Sequence, residues 1–149
     1  MHLNRRGTVS RFAHLTLDRA KPGIIAVDRG GRRFTNEANS YHRFGEALQG
    51  LPGPGRGQPV AWLICDRRAL RRYGLGLARP APAHWGNRRL IRDGYLKEAE
   101  SLAALAAQIG VPQEVLAATV ERHNGFARAG CDEDFAKGET AHNRSLGDP

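Results

Sequence analysis

Apolar positions along the chain fall into short runs near the start and longer periodic stretches near the end. Ile24-Ile25-Ala26-Val27 is a β-branched run behind the turn signal Pro22-Gly23, and Asp28-Arg29-Gly30-Gly31 is a second turn. Arg32-Arg33-Phe34-Thr35 then resumes an extended pattern, so the two runs predict a β-hairpin closed by a Gly-rich turn. Residues 40–49 predict a helix with Ser40 as N-cap and Tyr41, Phe44, Ala47 and Leu48 on one side. The Pro- and Gly-dense stretch 50–59 fits neither a helix nor a central strand and predicts a surface loop. Val60-Ala61-Trp62-Leu63-Ile64-Cys65 is the most apolar run and predicts a buried strand, followed by a short Arg-rich helix capped by Asp66. Residues 74–89 read as irregular, with Leu90-Ile91 as a brief strand.

The last third is periodic. Leu102, Leu105, Ala106 and Ile109 recur at helical spacing, predicting a helix over 98–109, with Ser101 as an alternative start and Gly110 as its stop. A second helix from Pro112 to about residue 128 carries Leu116, Val120, His123 and Ala127 on one stripe. The tail from Cys131 is polar with little periodicity. Short strands followed by amphipathic helices define an α+β pattern: a β-hairpin or small sheet packed with helices.

Composition bounds the function. A chain of 149 residues fits one domain with a core of its own, and is short for a complete two-domain dinucleotide enzyme. No apolar run approaches the ~20 residues of a membrane span, and no apolar signal-peptide core follows the basic start, so the expected location is the cytoplasm. Cys65 and Cys131 are expected as free thiols, and no Cys/His spacing fits a zinc site, so no metal is expected. The net charge is +8, carried by 20 Arg and 3 Lys. Arg67 and Arg71 share a helix face, as do Arg68 and Arg72. This patch could meet phosphate or an acidic partner, but no nucleic-acid motif accompanies it. Neither Gly-x-Gly-x-x-Gly nor the P-loop pattern occurs, and the glycines of 53–57 lack a preceding strand and a following helix.

Three segments, taken in order, carry a resemblance: Lys21-Pro22-Gly23-Ile24-Ile25-Ala26-Val27 with Gly31-Arg32-Arg33-Phe34-Thr35-Asn36-Glu37-Ala38-Asn39-Ser40-Tyr41-His42; Asp93-Gly94-Tyr95-Leu96-Lys97-Glu98-Ala99 with the helix after it; and Ala118-Thr119-Val120-Glu121-Arg122-His123-Asn124 with Gly130-Cys131-Asp132-Glu133-Asp134-Phe135 and Gly147-Asp148-Pro149. Together they resemble the substrate-capping domain of the FAD-dependent flavoproteins related to fumarate reductase and succinate dehydrogenase, and within that group the 3-ketosteroid dehydrogenase branch. The resemblance covers roughly residues 12–149. It implies that residues 13–149 form a capping domain, with 1–12 disordered or a remnant of an FAD domain. It implies FAD as cofactor, an FAD-binding domain in cis or in trans as partner, and a steroid-like or cyclic ketone as substrate. The FAD fingerprint that should precede the cap is missing from this chain, so the isolated chain is expected to be an inactive part.

The same resemblance marks the candidate site. Tyr41 stands five residues after Asn36, where fumarate reductases carry a proton-delivering arginine and ketosteroid dehydrogenases resemble a tyrosine base. It implies proton removal next to a carbonyl, with hydride transfer from the adjacent carbon to flavin. A tyrosine, with a reference pKa of about 10, needs a partner that stabilises its phenolate to act near neutrality. Read without the resemblance, Tyr41 packs its ring at a helix start. Asn36 and Glu37 are family corner residues near the active site; read alone, they are turn chemistry, with Asn in a left-handed turn and Glu in a first helical turn. His42 could orient Tyr41 or contact a ligand, or stand exposed in the first turn. His123 reads as a packed core residue, and His14 has no assigned role. Phe135-Ala136-Lys137-Gly138 departs from the family's Phe-Gly-Arg-Gly. The alternative readings are an inactive fragment, or a basic interaction module for nucleic acid or a separate FAD-domain partner.

Overall fold

A computed structural model describes residues 2–3, 9–10, 16–53 and 59–146. In chain order the elements are β1 (His2–Leu3), β2 (Val9–Ser10), α1 (Thr16–Arg19), β3 (Ile24–Val27), α2 (Tyr41–Gln49), β4 (Trp62–Cys65), α3 (Arg67–Tyr73), a 3-10 turn (Ala83–Gly86), α4 (Asn87–Arg92), α5 (Leu102–Ile109), α6 (Gln113–Ala129) and α7 (Ala141–Leu146). The arrangement is helix-rich with two small antiparallel sheets, β1–β2 and β3–β4. The pair β1–β2 falls within residues 1–12; the rest of that segment, with His14 and the loop 54–58, lies outside the described residues.

The predicted hairpin is corrected. Its turn forms: the Asp28 N–H donates to the Arg32 carbonyl at 2.9 Å, and the Gly31 N–H to the Asp28 carbonyl at 3.1 Å. Beyond the turn, however, only Val27 and Arg33 bridge, and β3 instead pairs antiparallel with β4 in the register Ile24↔Cys65, Ile25↔Ile64, Ala26↔Leu63 and Val27↔Trp62. β3 is buried throughout. Its long partner must therefore be apolar, and residues 62–65 satisfy this where Arg32-Arg33 do not.

The caps fall as the sequence predicts. Ser40 Oγ accepts from the Arg43 N–H, Asp66 Oδ1 from the Ala69 N–H at 2.6 Å, and Ser101 Oγ from the Ala104 N–H at 3.2 Å. Ser101 therefore starts α5 at Leu102 rather than at residue 98. Gly110 and Gly130 close α5 and α6 in the left-handed conformation. Leu90-Ile91 belong to α4 and not to a strand, with Leu90 buried on the inner side of a one-and-a-half-turn helix. The polar tail holds α7, which its weak apolar periodicity concealed.

The core joins sheet to helices: Ile25, Val27 and Ile64 from β3–β4 meet Ala106, Val111 and Leu116 from the α5–α6 region, with Trp62, Leu105 and Val120 packed around them. Gly31 is dictated by packing, because a Cβ there would stand 3.2 Å from the Leu116 nitrogen, and its φ is +80. Ala136 has φ 56, the left-handed region that glycine adopts without strain. Ala136→Gly is therefore expected to raise stability by about 1 kcal/mol, read as a higher urea midpoint at unchanged slope.

Candidate functional site

Four charges are gathered beside β3. Arg33 donates from Nε and Nη2 to Glu37 Oε1 and Oε2 at 3.0 and 2.9 Å, and from Nη1 and Nη2 to Asp132 Oδ1 and Oδ2 at 3.1 and 2.9 Å. Lys137 Nζ stands 3.2 Å from Glu37 Oε2 and donates to the Ile24 carbonyl at 2.7 Å. Glu37 Oε1 also accepts the Ala26 N–H at 2.9 Å. The formal charges, two positive and two negative, cancel. Glu37 is 0% exposed, so the cluster stands only because every member is paired.

Burial works against charge on all four groups. On Glu37 and Asp132 it is outweighed: Lys137 and Arg33 hold Glu37 below the usual carboxylate range, and the Arg33 hydrogen bonds do the same for Asp132. On Arg33 it is outweighed by the bonds to Asp132 and Glu37, which hold the guanidinium above the ordinary arginine value. On Lys137 burial prevails, and the pKa falls despite Glu37.

A second clamp uses neutral groups. Asn36 Nδ2 donates to the Phe135 carbonyl at 3.0 Å and to Asn143 Oδ1 at 2.8 Å, while its Oδ1 accepts the Ala38 N–H at 2.8 Å. Asn143 returns a bond to the Ala38 carbonyl at 3.3 Å. Arg19, fully buried, donates to the carbonyls of Glu37 and Asn39, and its guanidinium lies 4.3 Å over the Phe44 ring. The turn reading holds in part: Asn36 opens a turn, its Oδ1 accepting the Ala38 N–H and its carbonyl the Asn39 N–H at 3.1 Å, but Asn36 is not left-handed and Glu37 precedes the helix as a buried ion-pair member.

These clamps fix the backbone of residues 36–40, and α2 starts directly after it. Tyr41 is its first residue and is 63% exposed, so the reading of a ring packed at the helix start is corrected. His42 is exposed and ion-pairs Glu46 at 3.2 Å when protonated. No hydrogen bond or ring contact joins Tyr41 to His42, Asn36 or Glu37 among the described residues. The structure thus brings Asn36 and Glu37 into a support and presents Tyr41 beyond it. Sequence reasoning missed Arg19, Asp132, Lys137 and Asn143. The one local signal was the four-residue spacing of Arg33 and Glu37; Asp132 lies 99 positions from Arg33.

His123 is half-buried rather than a core member. Its Nδ1 is buried without a hydrogen-bond partner, and burial with the charges of Arg33 and Lys137 lowers its pKa. Both thiols are free; burial and Asp66 push Cys65 up to about 11, which makes it a poor nucleophile. No group of three or more His, Cys, Asp or Glu among the described residues could hold a metal ion.

Comparison with known proteins decides the family. Residues 6–147 match the family described as FAD binding domain. The chain belongs to the FAD binding domain family. It is 43% identical over 140 residues to the 3-oxosteroid 1-dehydrogenase of Mycobacterium tuberculosis, covering 89% of this chain and 24% of that protein. It is 40% identical over 144 residues to the 4-oxocyclohex-2-ene-1-carboxylate 5-dehydrogenase of Sinomonas cyclohexanicum, covering 97% and 24%. Among solved structures, the 3-ketosteroid delta1-dehydrogenase of Sterolibacterium denitrificans in complex with 1,4-androstadiene-3,17-dione matches with a TM-score of 0.76 at 32% identity, covering 99% of this chain and 26% of that one. The chain therefore spans about a quarter of the length of the curated relatives it matches. The family is described as FAD binding domain, and that description does not single out a capping part.

The described residues do not fit FAD itself. A dinucleotide cradle needs a parallel βαβ unit with free backbone N–H groups in its Gly-rich turn. Here the strands pair antiparallel. In the Gly30-Gly31 turn, Asp28 Oδ1 already accepts the N–H groups of Gly30 and Arg32 at 2.8 and 3.0 Å, and Gly31 is closed against Leu116.

Two outcomes follow. Asp132→Asn or Lys137→Met leaves a buried charge uncompensated and is expected to cost about 3–5 kcal/mol in urea unfolding. The lowered pKa of His123 means that the unfolded chain takes up its proton first. Stability from this group is complete above about pH 6.5 and is lost as pH falls toward the folded value. His123→Phe should flatten the pH profile of stability just below about pH 6.5, leaving the steeper carboxylate loss at lower pH.

Proposed function

We propose that this chain is the substrate-capping part of an FAD-dependent oxidoreductase of the 3-ketosteroid dehydrogenase type. Its relatives of that name, and the oxocyclohexane dehydrogenases beside them, support a cyclic ketone as substrate, dehydrogenated next to the carbonyl. The absence of a dinucleotide cradle among the described residues supports a capping rather than an FAD-holding role. The chain's own share of the reaction is then the proton and not the hydride. Tyr41 Oη takes the proton from the carbon beside the carbonyl, and the FAD-binding domain, in cis or in trans, supplies the group that stabilises the phenolate.

The observation that carries this reading is the exposure of Tyr41 at the end of a rigidly clamped corner. A phenol that must meet a substrate from another domain has to stand outside its own core, yet be held still. Asn36 and Glu37 then act as positioning residues, and His42 has no part in the proton transfer. No helix among the described residues is long and apolar enough to cross a membrane. The two free thiols support a reducing, cytoplasmic setting.

The purified chain is expected to be colourless and to leave the fluorescence of added FAD unchanged; stoichiometric yellow flavin on the chain alone would overturn the capping role. Exchanged for the matching segment of the Mycobacterium tuberculosis enzyme, the chain should give a flavin-containing protein that oxidises a 3-ketosteroid. In that protein Tyr41→Phe should lower kcat by about 10²–10⁴-fold, the usual share of a general base, while His42→Gln leaves kcat unchanged. Equal kcat for Tyr41→Phe and the parent would remove Tyr41 from the chemistry.

A further inference from the structure

A groove of about 880 Å³ lies between β4, α3, α4 and the segment 95–99 that leads to α5. No residue of α2 and no member of the ion cluster lines it, so it is separate from Tyr41 and its supports. Its walls include the apolar side chains Leu63, Leu70, Ile91 and Ile109. This volume falls in the range of about 300–1,000 Å³ typical of small-molecule sites.

The cations beside it are arranged unevenly. Arg67 is neutralised by Glu98 at 3.2 Å. Arg71, Arg88 and Lys97 also line the groove and carry no ion pair among the described residues. At the same place Trp85, 73% exposed, stacks on His84 with ring centroids 5.2 Å apart. His84 Nδ1 is buried without a hydrogen-bond partner. An exposed indole over apolar walls marks a binding surface, and the three exposed cations beside it carry no counter-ion among the described residues. A molecule with an apolar body and one anionic end complements both the walls and the cations.

We propose that this groove binds a small amphipathic acid, an aliphatic or alicyclic body ending in one carboxylate. The body lies on the apolar walls under Trp85, and the carboxylate meets Arg71, Arg88 and Lys97. The proposal goes beyond the capping role and uses none of the residues assigned to it.

Both tryptophans of the chain, Trp62 and Trp85, line the groove, so intrinsic fluorescence reports its occupancy directly. The full chain would be titrated with decanoate below its micellar concentration. A saturable, one-site change is expected, with decanol binding about tenfold or more weakly, the cost of one lost charge-assisted bond. The triple variant Arg71→Gln, Arg88→Gln, Lys97→Gln should lose affinity by the same factor or more. These side chains are exposed or at the rim, and circular dichroism checks that the fold is kept; if the triple variant is misfolded, the single Arg88→Gln variant carries the test. A non-saturating response, equal affinity for decanoate and decanol, or indifference to the Arg and Lys changes would overturn the proposal. Saturable binding of a Glu-rich decapeptide where decanoate does not bind would also overturn it, reassigning the groove to an acidic polypeptide.

Discussion

The bidentate grip of Arg33 on two carboxylates is the interaction on which the rest of the structure depends. Its partners come from opposite ends of the fold, Glu37 from the corner before α2 and Asp132 from the turn after α6. Taking such charges out of water costs several kcal/mol per ion, and only complete pairing offsets it. The cluster therefore tolerates few alternatives: with Lys137 absent, Glu37 is underpaired, and with Asp132 absent, Arg33 is. Hydrophobic packing of β3 and β4 on α5 and α6 holds the domain together, but it does not specify the corner. Apolar contact is non-directional, whereas a guanidinium fork seated on two carboxylates allows one geometry.

That geometry is handed on through neutral groups. Asn36 ties the corner to Phe135 and Asn143, and Arg19 closes the carbonyls that the corner would otherwise leave buried and unpaired. The result is a short helix whose first residue stands in solvent on a base with little freedom. Rigid support and exposed phenol are separate properties, supplied by different residues. This is why none of Asn36, Glu37 and Tyr41 bonds to another through its side chain, although they lie within six positions.

What the sequence made legible follows the range of each interaction. Caps are local, so Ser40, Asp66, Ser101, Gly110 and Gly130 could be read within a few residues of the ends they make. The α5–α6 pair was legible because its apolar period repeats. The partner of β3 was not: turn chemistry at Asp28–Gly31 signals a hairpin, but burial on both faces demands an apolar neighbour, and that neighbour lies beyond an intervening helix and loop. α7 and Leu90 were hidden because six-residue helices carry too few turns to show a period. The buried cluster left the weakest trace of all. Arg33, Glu37, Asp132 and Lys137 look like ordinary surface charges in the chain, and only the fold removes them from water. Tyr41 is a candidate by resemblance alone, and its exposure was not legible in the chain.

The separation of Arg33 from Asp132 also sets a time. During synthesis at about 5–20 residues per second, the 99 positions that separate Asp132 from Arg33 take roughly 5–20 s to be made. Throughout that interval the strand Ile24–Val27 and the corner behind it lack the carboxylate and the amine that complete their pairing. The nascent chain thus gains the strand and helices that cover Ile24–Val27 while its ionic site is still unfinished. Its maturation must wait for the turn after α6, so a ribosome stalled before residue 132 would hold a chain that is long enough to collapse but not equipped to settle.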